Sequence, residues 1–168
     1  MKILKLFTLI SLFSLAFASC ETYEDQKVEY SPLFPLCGQW VVSIHDAATG
    51  SLIPNGDGYT LYTYNTSSNV DNIMWVRLSN SANPFGVLGK VNCSVAEKSF
   101  SIVKGVNTFF TTDNELTITE GKVVLNGFDT PSGGKSDFIS FKMKPTTNST
   151  VTYLIKGFRR TAWPEDMP

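Results

Sequence analysis

From Gly38 onward the chain is written in short runs that alternate apolar and polar residues, and nearly every run ends in Gly, Pro, Asn or Asp. Alternation at period two marks a half-buried strand, and breakers at this spacing mark hairpins. No helical period competes with it. An antiparallel sheet built this way must deal with its two edges, and closing on itself removes them. The expected fold is therefore all-β, an antiparallel β-barrel of eight or nine strands.

The first run, Gly38–Asp46, puts Trp40, Val42 and Ile44 on one face and Val41, Ser43 and His45 on the other. Further runs lie at 59–65, 73–78, 87–95, 99–103, 115–119, 122–126, 138–144 and 150–160, with turns at 96–98, 120–121, 131–134 and 145–148. The last is long enough to pair with the first and close the sheet, and it ends in Arg159-Arg160. One of these guanidinium groups, laid over the Trp40 indole, would plug that end by a cation–π contact of about 0.5–2 kcal/mol. Register decides which one. Gly38, two residues before the Trp, allows a tight entry into the strand. Gly38, Trp40, Arg159 and Arg160 form the expected plug.

Ahead of the barrel, Lys2 and Lys5 precede an apolar run at 6–18, the length of a secretory signal and short for a membrane span. The run ends in Phe17-Ala18-Ser19-Cys20, similar to a bacterial lipobox, in which Cys20 becomes the lipidated first residue of the mature chain. Phe17 stands where an aliphatic residue is usual, and the alternative is ordinary cleavage near Ala18 with Cys20 left as a thiol. Several acyl chains would anchor the protein firmly, since each buried CH₂ contributes about 0.8 kcal/mol. Residues 21–35 are acidic and then broken by Pro32 and Pro35, as in a solvated tether. The expected organisation is a signal peptide at 1–19, a lipidated N-terminus and flexible tether at 20–35, and one barrel domain at 36–168.

Charge and composition exclude more than they select. The net charge is −1 and the 14 basic residues are scattered, so no stripe suits a phosphate backbone and nucleic acid is not an expected partner. His45 is the single histidine, and no spaced set of His, Cys or carboxylates reads as a metal site. Neither metal nor cofactor is expected. Asn55 and Asp57 belong to a turn, because the spaced oxygen ligands of a calcium loop are missing. Gly133-Gly134-Lys135-Ser136 lacks the leading glycine of a phosphate loop, which would fall at Asp129. Cys37 and Cys93 read either as a disulfide or as two small buried thiols.

For catalysis, His45 is the one available histidine base; Asp46 points to the opposite strand face, and no Gly-x-Ser-x-Gly elbow is present. No catalytic residue is assigned. Aromatics offer the more substantial signal. Tyr59, Tyr62, Tyr64, Trp75, Phe138, Phe141 and Tyr153 lie on strands, where inward positions either pack solid or surround one small ligand. These seven are the candidate ligand-binding residues.

Taken in order, Gly38-Gln39-Trp40, Tyr64-Asn65-Thr66 with Asp71, Met74-Trp75-Val76, Gly121-Lys122-Val123, Ser132-Gly133 with Asp137, and the tail from Gly157 through Trp163-Pro164-Glu165-Asp166 resemble the Bacteroidetes lipoprotein family labelled "lipid-binding putative hydrolase". The resemblance spans 36–166, departing where Ala162 stands in place of the family's frequent Gly. Gly-x-Trp with a late basic residue is similar to the calycin superfamily of lipocalins and fatty-acid-binding proteins. The resemblance implies a calycin-like barrel on the outer membrane of a Gram-negative bacterium, surface-exposed, and brings no catalytic residues with it. The expected function is binding of a small apolar or amphipathic ligand of lipid or fatty-acid type by a membrane-anchored barrel. Two alternatives stand beside it. One is an accessory, glycan-directed role with an outer-membrane protein partner, using exposed aromatics such as Trp163. The other is an esterase-like hydrolase.

Overall fold

In the computed structural model, residues 28–78 and 85–166 are described; the expected signal peptide at 1–19 and Cys20 lie outside them. Eight strands follow one another around the sheet: β1 (Gly38–Asp46), β2 (Tyr59–Asn65), β3 (Ile73–Leu78), β4 (Val87–Ser94), β5 (Ser99–Val106), β6 (Glu115–Asp129), β7 (Lys135–Lys144) and β8 (Tyr153–Arg159). Each pairs antiparallel with the next, and β8 returns to β1 with Trp40 opposite Arg159 and Asp46 opposite Tyr153, closing the barrel. Every strand therefore has two neighbours.

Period two decides what goes inside. Trp40, Leu61, Met74, Val76, Ile139 and Ile155 are among the inward side chains with no accessible surface, so not even a water-sized space lies beside them. Phe141 packs edge-on against Phe100, with ring centroids 5.5 Å apart. Burial of each such side chain contributes about 1.5–3 kcal/mol. The interior is a packed core.

The end from which β1 starts is plugged by hydrogen bonds as well as by apolar bulk. Arg159 lies with its guanidinium carbon 4.6 Å from the Trp40 ring centroid. Its Nε donates to Asp137 at 2.9 Å, Nη2 donates to the Pro35 carbonyl at 3.2 Å, and Nη1 donates to the Cys37 carbonyl. Trp40 Nε1 donates to Thr63 at 2.9 Å, and Thr63 donates in turn to the Leu36 carbonyl at 2.6 Å. Register thus selects Arg159; Arg160 is exposed, and only its backbone N–H reaches back, to the Gln39 carbonyl at 2.8 Å. Gly38 serves the plug differently from the expected tight bend. A Cβ there would stand 2.5 Å from Arg159 Nη1, so the glycine leaves room for the guanidinium.

Several boundaries differ from the sequence pattern. Leu33 and the 3₁₀ turn Phe34–Leu36 belong to the fold, since Leu33 and Leu36 are fully buried, so the packed part starts earlier than the expected 36. The runs at 115–119 and 122–126 are one strand, making eight rather than nine. Glu120 takes a φ of 54° and the register of β6 against β7 shifts between Thr119 and Lys122, which is a bulge and not a turn. Only glycine fits at 121, where any side chain would strike the Phe100 carbonyl and ring. A second bulge between Val124 and Phe128 swings the end of β6 across the outside of β7 and β8.

At the opposite end Asn107, fully buried, donates to the carbonyls of Gly86 and Pro145 and accepts from the N–H groups of Leu88 and Phe109, while Tyr153 packs edge-on against Phe85. Cys37 and Cys93 are free thiols packed against the core. Burial pushes each up to about 11, an effect the Arg159 charge partly opposes at Cys37.

Candidate functional site

The aromatic residues singled out for the barrel interior divide between its two faces. Phe141 fills the core, and Tyr59 and Tyr153 pack against it from the partly buried positions nearest the far end. Tyr62 and Tyr64 are 38% and 37% exposed on the outer wall, with Trp75 beside them, because Leu61, Thr63, Met74 and Val76 take the inward positions of β2 and β3. Phe138 also faces outward, at the parity opposite to inward Ile139 and Phe141, on a strand whose partner β6 is bulged at this point. Tyr62, Tyr64, Trp75 and Phe138 therefore do not line an internal ligand site.

Phe138 instead floors a cleft of about 540 Å³ on the outside of the barrel. Cross-strand pairing sets the floor in rows: Val41, Phe158 and Phe138 side by side, then Ser43 with Lys156. The β6 bulge brings Phe128 over this floor, where it stacks on Phe158 with ring centroids 4.4 Å apart and planes at 5°. Pro131 and the 3₁₀ turn Pro164–Asp166 complete the wall, and Asp57 reaches the rim from the β1–β2 loop. Clefts of some 300–1,000 Å³ with an apolar floor and a few polar groups suit small-molecule ligands.

The C-terminal wall is held by Asp166, 2% exposed. Its carboxylate accepts from Thr161 Oγ1 at 2.6 Å, from the Ser132 N–H at 2.8 Å and from the Ser132 hydroxyl at 3.0 Å. Desolvation works to raise its pKa, but these hydrogen bonds outweigh it and hold the carboxyl below the usual aspartate range. The wall is thus fastened by an ionised group.

At one end of the floor Ser43 Oγ lies 2.9 Å from His45 Nε2, and His45 Nδ1 lies 3.1 Å from the Gly50 carbonyl oxygen. Ser43 lines the cleft, whereas His45 sits behind it at 9% exposure. Lys156, directly across from Ser43 in the β1–β8 ladder, lines the cleft too and forms no ion pair among the described residues. Asp46, the sequence neighbour of His45, is not its partner in this contact; Ser43 is, and the signal for it in the sequence is that Ser43 and His45 sit at i and i+2, on one strand face. Among the described residues no group of three His, Cys, Asp or Glu side chains converges as a metal site.

A protein-family model described as "Lipid-binding putative hydrolase" matches residues 25–164. The chain belongs to this family. A comparison with curated proteins finds no match. Membership in a lipid-binding family supports an apolar ligand for a barrel whose outer wall carries a phenylalanine-lined cleft.

Proposed function

We propose that this protein is an envelope lipoprotein that holds a small acyl lipid in the outer cleft of its barrel. The observation that carries this reading is the pairing of a packed interior with an external cleft floored by Val41, Phe138 and Phe158 and overhung by Phe128. The family description points to lipid, and the cleft offers about 540 Å³ for it. Asp57, Glu165 and Asp166 outnumber Lys156 around the cleft, which favours an uncharged or zwitterionic head group over a free fatty-acid anion. Native mass spectrometry of the intact protein released from detergent micelles, with organic extraction, tests this. A discrete lipid mass that is lost from a Phe158→Ala variant and kept by a Tyr64→Ala variant supports the outer cleft; retention in both variants, or no bound lipid after incubation with a panel, counts against it.

Anchoring rests on Phe17-Ala18-Ser19-Cys20, and an outer-membrane, surface-exposed location on the acidic residues that follow. Cys20→Ser should release the protein from the membrane fraction, and a membrane-bound variant would overturn the anchor. A calycin relationship and a Bacteroidetes source are supported by Gly38, Trp40 and Arg159 meeting at the plug and by the motif order along the chain.

A glycan-directed accessory role is favoured by a different observation. Tyr64 and Trp75 stack at 6.4 Å on the outer wall, with Lys90 5.2 Å from the Trp75 centroid and Arg77 5.9 Å from that of Tyr62. Such a platform suits sugar rings, and retardation on polysaccharide gels that is lost in Trp75→Ala would support it.

A further inference from the structure

Ser43 and His45 meet side chain to side chain on β1. Both side chains leave the outer face of β1, and the 2.9 Å contact joins Ser43 Oγ to His45 Nε2. The 3.1 Å contact on the other side of the ring settles the proton. A carbonyl oxygen only accepts, so Nδ1 facing Gly50 carries the hydrogen. On the neutral ring Nε2 then presents a lone pair to Ser43. A second acceptor for the hydroxyl, the Lys156 carbonyl, lies farther away at 3.3 Å. Nucleophile, base and orienting acceptor are thus in sequence, with a backbone carbonyl in the place a carboxylate often takes.

Position within the cleft adds the rest. Ser43 borders the apolar floor, so an acyl chain lying along Val41, Phe158 and Phe138 brings its carboxyl end to the Ser43–Lys156 row. His45 is shielded from bulk water. Lys156, across the ladder from Ser43, brings a positive charge to the same cleft.

We propose that Ser43 and His45 are a hydrolytic dyad acting on carboxylic esters of acyl chains held in this cleft. The inference rests on the cleft being an acyl-lipid site. Ser43 Oγ bonds to the ester carbon as its proton passes to His45 Nε2, and the oxyanion forms next to Lys156. Collapse breaks the bond to the alcohol oxygen, which takes the proton from Nε2, leaving an acyl-serine. Water, giving its proton to Nε2, attacks that ester; the acid leaves and Ser43 recovers its proton. The carboxylate product then faces Asp57 and Glu165, which repel it from the rim.

The test treats the intact protein in non-ionic detergent micelles with a long-chain alkyl fluorophosphonate and, separately, with p-nitrophenyl decanoate. Expected are one phosphonyl adduct mapped to Ser43 and ester turnover, both abolished in Ser43→Ala. In His45→Gln both should fall by about 10²–10⁴-fold, while circular dichroism and lipid retention in native mass spectra stay unchanged. Lys156→Met should lower kcat by about 10-fold or more with KM little changed. An adduct on another serine, or turnover that survives Ser43→Ala, overturns the dyad. Lipid retained with neither adduct nor turnover overturns the dyad and leaves the binding reading standing. Loss of lipid retention from the unaltered protein overturns both.

Discussion

Phe138 and Phe141 lie three positions apart on β7 and end on opposite sides of the barrel wall. Phe141 meets Phe100 in the core, and Phe138 meets Phe158 on the floor of the outer cleft. Composition cannot tell them apart; parity along the strand does. The inner ring is surrounded by protein on every side and its worth is stability. The outer one has a free face and its worth is contact with something else. The same division separates Trp40, sealed under Arg159, from Trp75, which lies on the wall beneath Lys90.

The largest effect should come from breaking the inner side. Phe141→Ala removes a fully packed ring and leaves a cavity that a closed barrel cannot readily collapse, costing about 3–5 kcal/mol in urea unfolding. Phe138→Ala should cost about 1–2 kcal/mol, in keeping with its half-buried setting. Equal losses would erase the distinction between the faces. Next comes the plug: Arg159→Met keeps apolar contact with Trp40 but strands Asp137 and the carbonyls of Pro35 and Cys37, for a loss of about 2–3 kcal/mol. Solvent screening of the partly exposed ion pair keeps the figure below that of a sealed one.

On the outer wall the order of effects should reverse. Phe158→Ala should cost only about 1 kcal/mol of stability while lowering lipid occupancy by about 10-fold or more, read by native mass spectrometry. Stability loss without a change in occupancy would make Phe158 a packing residue. The smallest effect concerns the Asp166 wall. Its native carboxyl titrates lower than in the unfolded chain, so its contribution is complete above the ordinary aspartate range near about pH 4 and is lost as pH falls through the lowered native value. Acidification should therefore shift the emission of Trp163 before the far-ultraviolet signal of the barrel changes, and simultaneous loss of both would show that the wall is not an independent element.

Much of the scaffold was legible because it depends on neighbours in the chain. β1, β2 and β3 begin and end where alternation meets Gly, Asn or Asp, and the partnership of the first and last strands follows from closing the sheet. The bulge at Glu120-Gly121 was not legible, since the same two residues serve equally in a tight turn, and only the register across β7 separates the cases. Leu33 was hidden in a segment where Pro32 and Pro35 interrupt any period it could follow. The site was harder still. Ser43 reads as an ordinary solvent-facing residue, and what gives it significance is a backbone carbonyl from the following loop together with rings carried in by β6 and β8.

Arg159 has one further consequence, in the connectivity of the chain. The segment that leads into β1, at Pro35 and Cys37, and the residue that ends β8 are joined through a single side chain, and Arg160 bonds to Gln39 alongside. Entry and exit of the fold share one pole. The barrel is therefore close to a ring in sequence as well as in space, and a circular permutant joined there by a short linker, with new ends opened at Gly133 in the β6–β7 turn, would keep every strand pairing intact.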